Sequence, residues 1–270
     1  MRRPFDLFAS SVICAAAAVL LACGGGGNQN QNQNLKSTEA PAAAPSSSGT
    51  AAPAAVDAAT AATITGKVTF TGTAPAPQPV KLSSDPYCQK ANPGLTTDTE
   101  IVGKDGAVGN VFVYVKDGLG NRTFPIPSEP VVLDQKGCHY SPHVMGIQIG
   151  QPLQIVNSDD TLHNIHAHPT ANKEFNQGQP IQGMKMTHTF STKEVMVPFK
   201  CDVHGWMNAW VGVLDHPYYA VTSADGSFSL KGLQPGTYTI EAWHEKLGTQ
   251  TQTVTVGPKE SKDLAFTFKA

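Results

Sequence analysis

The chain has 270 residues, with 19 Lys and Arg against 21 Asp and Glu, a formal net charge of -2 and a charged fraction of 15%. That balance supplies no basic face able to neutralise a phosphate backbone, which argues against nucleic acid as a partner. Apolar residues make up 40%, enough for a core, and the long Thr/Val/Gly-rich runs with 7% aromatics favour β structure over helix bundles.

Arg2 and Arg3, followed by an apolar run through Val12, Ile13, Ala15 to Ala18, Val19, Leu20 and Leu21, have the tripartite form of an export signal. Leu20-Leu21-Ala22-Cys23 resembles the bacterial lipobox, which implies removal of residues 1–22 and acylation of Cys23. Several acyl chains would hold the protein on a bilayer without a spanning helix. Gly24, in place of Asp, resembles the outer-membrane default of Gram-negative lipoproteins, so the expected location is the periplasmic side of that membrane. Gly24 to Gly27, alternating Asn and Gln to Asn34, and the Ala/Pro/Ser/Thr tract to Ala62 cannot bury enough apolar surface to offset chain entropy. Residues 23–62 therefore read as a lipidated, disordered tether with a root-mean-square reach of roughly 35 Å.

Folding falls to Thr63 onward, room for one large or two small domains. Ile64 to Phe70 and Val111 to Val115 read as strands with few local partners. Of the five cysteines, Cys14 leaves with the signal and Cys23 is the acylation site, so three remain in an oxidising space. Cys88 and Cys138 have no ligand pattern between them and are expected to pair. Such a bridge closes a loop of about 50 residues and stabilises by ~4 kcal/mol in the chain-entropy model. Cys138-His139 has the ending of a c-type haem site, but Gln135 stands where that motif needs a second Cys.

Eight of the nine histidines lie within 139–216. A strand-like run, Ile147 to Val156, leads through a polar turn, Asn157 to Leu162, to His163-Asn164-Ile165-His166-Ala167-His168. In an extended chain His166 and His168 share the face opposite His163, and only one parity can face a metal. Met184 and Met186 could hold Cu(I), although one core-facing Met in a loop is the simpler reading. Cys201-Asp202-Val203-His204-Gly205-Trp206-Met207 then places a thiolate, an imidazole and a thioether at positions 1, 4 and 7 of one heptad. A tight loop between strands can converge all three. That mixture suits copper, with a thiolate and two imidazoles in a plane and a weak axial thioether. Zinc prefers four strong donors and gains little from Met. His163 is the best candidate for the second imidazole. His166-Ala167-His168 looks like one of the pairs of multicopper oxidases, but the further pairs and the His-Cys-His of those enzymes are absent, so these histidines read as surface or supporting residues.

The order of strand, Asn-containing turn, His163-Asn164, Met/Lys loop, alternating strand and Cys-x-x-His-x-x-Met resembles the cupredoxins, and amicyanin-like members most, over roughly residues 140–215. The resemblance implies one type 1 copper with His163, Cys201 and His204 equatorial and Met207 axial, and Asn164 hydrogen-bonding across the two ligand loops. It also implies His204 near the surface as an electron port, with Trp206 and Met207 in an apolar docking patch. A c-type cytochrome or a periplasmic dehydrogenase would be the weak, transient partner.

Beyond Asp215-His216-Pro217, strands alternate with Asp225-Gly226 and Gly232 to Gly236 turns. This stretch resembles the carboxypeptidase regulatory-like, transthyretin-like sandwich. An exposed Trp243 or Tyr238 would be a stacking platform for glycan. The expected fold is all-β, a cupredoxin Greek-key sandwich at 131–216 inserted into a second sandwich built from 63–130 and 217–270. A plain tandem is the alternative, and in the inserted form the disulfide would staple the junction. The resulting expectation is a membrane-tethered single-electron carrier, not an enzyme. A copper chaperone or sensor, and a glycan-binding envelope module with a structural cupredoxin, are the rivals.

Overall fold

The computed structural model describes residues 56–74, 76–82, 85–97 and 103–269. The export signal, Cys23 and most of the tether lie outside the described residues. The tether ends earlier than expected. Thr60 and Asp57 hydrogen-bond to Gln234, and Ala62, 1% exposed, already opens the first strand.

The protein is all-β apart from one six-residue helix and a single 3₁₀ turn among the described residues. In chain order the elements begin with β1 (Ala62–Thr71), α1 (Pro86–Ala91), β2 (Phe112–Asp117), β3 (Val131–Gln135), β4 (Tyr140–Ser141) and β5 (Val144–Gln148). They continue with β6 (Leu153–Asn157), β7 (His163–Ala167), β8 (Phe175–Gln179), β9 (Lys185–His188), β10 (Glu194–Lys200) and β11 (Asn208–Leu214). The last are β12 (Tyr219–Val221), β13 (Ser227–Leu233), β14 (Gly236–His244), β15 (Gly248–Val256) and β16 (Ser261–Lys269). No helix among the described residues is long and apolar enough to cross a membrane.

Two sandwiches result. In the first, a sheet ordered β13-β1-β16 packs on one ordered β12-β2-β14-β15. The alternation in β1 sends Ile64, Val68 and Phe70 inward, where they meet Leu264, Phe266 and Phe268 of the parallel strand β16. In the second, β5-β11-β10-β7-β8 packs on β4-β3-β6-β9 around Leu133, Ile147, Leu153, Ile155, Ile165 and Phe199. The run expected as one strand over Ile147 to Val156 is two. Gly150 takes φ 79°, Gln151 N–H donates to the Gln148 carbonyl, and the turn delivers β5 and β6 to opposite sheets.

The described residues of 78–82 and 85–97 do not join the first sandwich, as a 63–130 assignment would have it. Leu82 and Cys88 are buried in the core of the second, with Val80 and Leu95 packed beside them, because the Cys88–Cys138 disulfide anchors the segment there. The bridge therefore lies inside the second sandwich and does not staple a junction. The junction is apolar. Gly146 and Gly212 face each other across β5 and β11, and the rings of Tyr219 and Phe112 lie on them so closely that a Cβ would come within 2.3 and 2.5 Å of ring carbons. Phe112 and Tyr219 stack with centroids 5.6 Å apart.

Two buried histidines make the fold acid-sensitive. His216 accepts the Tyr218 N–H at Nδ1, and His244 accepts the Lys246 and Leu247 N–H groups at Nδ1, so each needs a free lone pair and stays neutral. Burial pushes both down to about 4. The unfolded chain binds those protons near pH 6.5, so stability is complete above that pH and is lost as pH falls from about 6.5 to about 4. In metal-free protein, wild type is expected to lose about 3 kcal/mol more than His216→Asn between pH 7 and 4, read by urea unfolding. Parallel pH profiles would contradict this.

Candidate metal centre

The centre lies at one end of the second sandwich, where the turn entering β7 meets the loop joining β10 to β11. Asn157 shapes the first segment. Its Nδ2 donates to the Thr161 and Gln179 carbonyls, and its Oδ1 accepts the Asp159 N–H. That turn places His163 as the first residue of β7, wholly buried. The second segment closes on itself through Cys201 N–H to the Met207 carbonyl and Met207 N–H to the His204 carbonyl. Cys201, His204 and Met207 are each no more than 2% exposed, and Met207 packs in the same apolar cluster as Cys201. Asn164 joins the two segments: its Oδ1 accepts the Asp202 N–H at 2.6 Å, and its Nδ2 donates to Asp202 and Asn176.

His163 Nδ1 and His204 Nδ1 stand 2.9 Å apart, Cys201 Sγ is 3.8 Å from His204 Nδ1, and donor atoms of all three residues lie within 4.8 Å of one another. Each ring's other nitrogen is held by a carboxylate. His163 Nε2–H donates to Asp159 at 2.9 Å, and His204 Nε2–H donates to Asp85 at 2.9 Å. Both Nδ1 lone pairs then point at one spot, where they repel unless a proton or a cation lies between them. Burial disfavours the Cys201 thiolate, but His163 and His204, when a proton sits on an Nδ1, together with backbone donation, bring it down to about 6. Burial opposes imidazolium at both histidines, and the carboxylates and thiolate outweigh it to hold both above the usual range. The converged thiolate and two Nδ1 atoms fit a copper ion, and Met207 lies buried in the same cluster as Cys201.

The carboxylates arrive with α1 and with the turn before β7. Asp85 caps α1 through Oδ1, accepting the Tyr87 and Cys88 N–H groups, and turns Oδ2 to His204 and Thr161. Asp159, 2% exposed, also accepts from Gly137 N, Cys138 N and the Tyr87 hydroxyl. Sequence reasoning missed both acids. The available signal for Asp85 was Asp85-Pro86, a cap followed by an N1 proline, three residues before a cysteine destined to pair.

The expected surface port is covered. His204 is 1% exposed beneath Asp85, with Cys88 Sγ 3.6 Å from its Nε2, and Met207 is equally buried, so neither forms a docking patch. Trp206 is half-buried, its ring 5.0 Å from that of His204 and its Nε1–H donating to the Cys138 carbonyl. It lines an open cleft of about 250 Å³ with Leu95, His139 and Lys246. Met186, paired opposite Ile155, packs partly against the core. Of the two aromatics expected as a glycan platform, Tyr238 is 1% exposed, and Trp243 is half-buried and packs on Trp210 with ring centroids 5.1 Å apart.

A family model for the carboxypeptidase regulatory-like domain matches residues 207–269, which begins in the ligand loop and runs through β16. No curated protein matches the chain. Among solved structures, the chain is similar to a copper-containing nitrite reductase from Thermus scotoductus SA-01, at 17% identity and TM-score 0.31, over 37% of this chain and 26% of that one. It therefore spans about a quarter of that enzyme. A purple cupredoxin from Nitrosopumilus maritimus matches at 27% identity and TM-score 0.25, over 28% of this chain and 81% of that one. A reduced amicyanin variant matches at 17% identity and TM-score 0.29, over 37% and 97%.

Proposed function

We propose that this protein is a cupredoxin-like type 1 copper protein that carries single electrons at the cell envelope, tethered through Cys23. The observation that carries this reading is the pair of Nδ1 atoms 2.9 Å apart beside the Cys201 sulfur, each ring fixed from behind by a carboxylate. When bound, copper supplies a one-electron couple. The chain's part is to hold three strong donors rigid and shielded from solvent.

Because Asp85 and the disulfide cover His204, we place electron exchange at Trp206, which touches His204 on one side and the open cleft on the other. A small redox protein of the cytochrome or dehydrogenase kind is the partner this reading calls for. The test is titration of the protein with Cu(II): an intense thiolate-to-copper absorption and a narrow copper hyperfine splitting support the proposal, and a colourless adduct refutes it.

Asp85 also sets the redox poise. Its negative charge favours the more positive oxidation state, and a nearby charge in part-buried surroundings is worth about 2 kcal/mol. Asp85→Asn removes the charge, its single carbonyl oxygen serving either the α1 cap or the His204 Nε2–H, so the reduction potential is expected to rise by on the order of 100 mV. An unchanged midpoint in protein-film voltammetry would show that the cap has no electrostatic role.

A further inference from the structure

We propose that His166, His168 and Glu174 form a second site, at the mouth of the β7–β8 hairpin, for a borderline divalent cation such as Zn²⁺. Donor atoms of the three lie within 4.8 Å of one another. The hairpin register pairs His166 with Asn176 and Ala167 with Phe175, and one step further brings residue 168 across from residue 174. His166 and His168 project from the same face, their ring centroids 3.8 Å apart. The His168 backbone is fixed by its N–H to the Pro198 carbonyl.

An independent observation points to a ligand. His168 Nε2 is buried yet has no hydrogen-bond partner among the described residues. A nitrogen cut off from water and left unpaired is costly unless something binds it. His166 is oriented to join it, since its Nδ1 faces Asp202 at 3.0 Å and its Nε2 faces Glu174 at 2.7 Å. The Asp202 carboxylate fixes the tautomer and orientation, as carboxylates behind metal-bound histidines do, and leaves Nε2 and Glu174 for the cation. Binding displaces the proton that His166 Nε2 shares with Glu174. Asp202 is held in place by Asn176 and Asn164 and follows Cys201 directly, so this site is built against the back of the first one. Two imidazoles and one carboxylate leave room for water, the ligand set of an open zinc site. Glu174 is largely exposed, its side chain at 63%, so the cation can exchange with solvent.

The test uses the full chain carrying Cys201→Ser and no polyhistidine tag, so that the thiolate of the first centre is gone. Zn²⁺ is added by calorimetric titration while the histidine ring nitrogens are followed by NMR. One equivalent should bind with shifts at His166 and His168, and adding His168→Ala should weaken Zn²⁺ binding by more than ~100-fold, beyond the usual loss from an outer-shell partner. Unshifted His166 and His168 resonances at saturating Zn²⁺, or undiminished affinity with His168→Ala, would overturn the proposal. Repeating the series in the Cys201 protein after Cu(II) addition separates the two readings, because the second site should bind Zn²⁺ whether or not colour develops.

Discussion

Cys201→Ser is expected to bind Cu(II) without the intense visible absorption of the wild type and with a copper affinity lower by well over ~100-fold, more than the loss of an outer-shell partner produces. The reason is specific to the thiolate. Its ionisation is brought down to about 6 by the adjacent His163 and His204, protonated at an Nδ1, and by backbone donors despite burial, so the sulfur is largely anionic at neutral pH where a serine hydroxyl is not. The substitution removes one atom's worth of polarisability and the negative charge together, while the hydroxyl can still accept the His204 N–H that Sγ accepts at 3.3 Å. The fold should therefore survive, and thermal unfolding of the metal-free variant serves as the control. Retained colour in the variant would mean that sulfur from another residue is the donor.

The second large effect is expected at Asp159. Asp159→Ala strands four donors at once: His163 Nε2–H, the Gly137 and Cys138 N–H groups and the Tyr87 hydroxyl. The carboxylate is held below its usual range by these bonds, the largest favourable one from His163, although burial works against its charge. Removing one partner of such a buried pair costs about 3–5 kcal/mol. Urea unfolding should show that loss in the metal-free protein, and copper affinity should fall with it because His163 is no longer fixed. A loss below about 1 kcal/mol would indicate that water replaces the carboxylate at the same positions.

What could be read in the sequence follows the range of the interactions. The 201–207 loop is local, so residue type and spacing alone suggest a convergence of Cys201 and His204. The period of two along β7 likewise separates His163 from His166 and His168. The carboxylates are another matter. Asp159 and Asp160 are neighbours in one turn, and nothing in their order shows which of them turns inward to His163. Asp85 stands 119 residues from His204, and only the path of α1, set by a disulfide and a cap, brings it there. For the same reason the cupredoxin resemblance implies a near-surface His204, whereas the structure buries it. Gly146 and Gly212 illustrate a further limit: a strand glycine can mean a bulge, a bend or a close approach, and the seat for Phe112 and Tyr219 emerges only when β5 and β11 are paired.

Whether Cys201, His163 and His204 together hold copper is decided by X-ray absorption at the copper edge of the loaded full chain, compared with the same measurement on Cys201→Ser. The expected first shell is one short copper–sulfur bond and two imidazole nitrogens in the wild type, with the sulfur scatterer missing from the variant. A wild-type shell of nitrogen and oxygen alone would contradict the assignment.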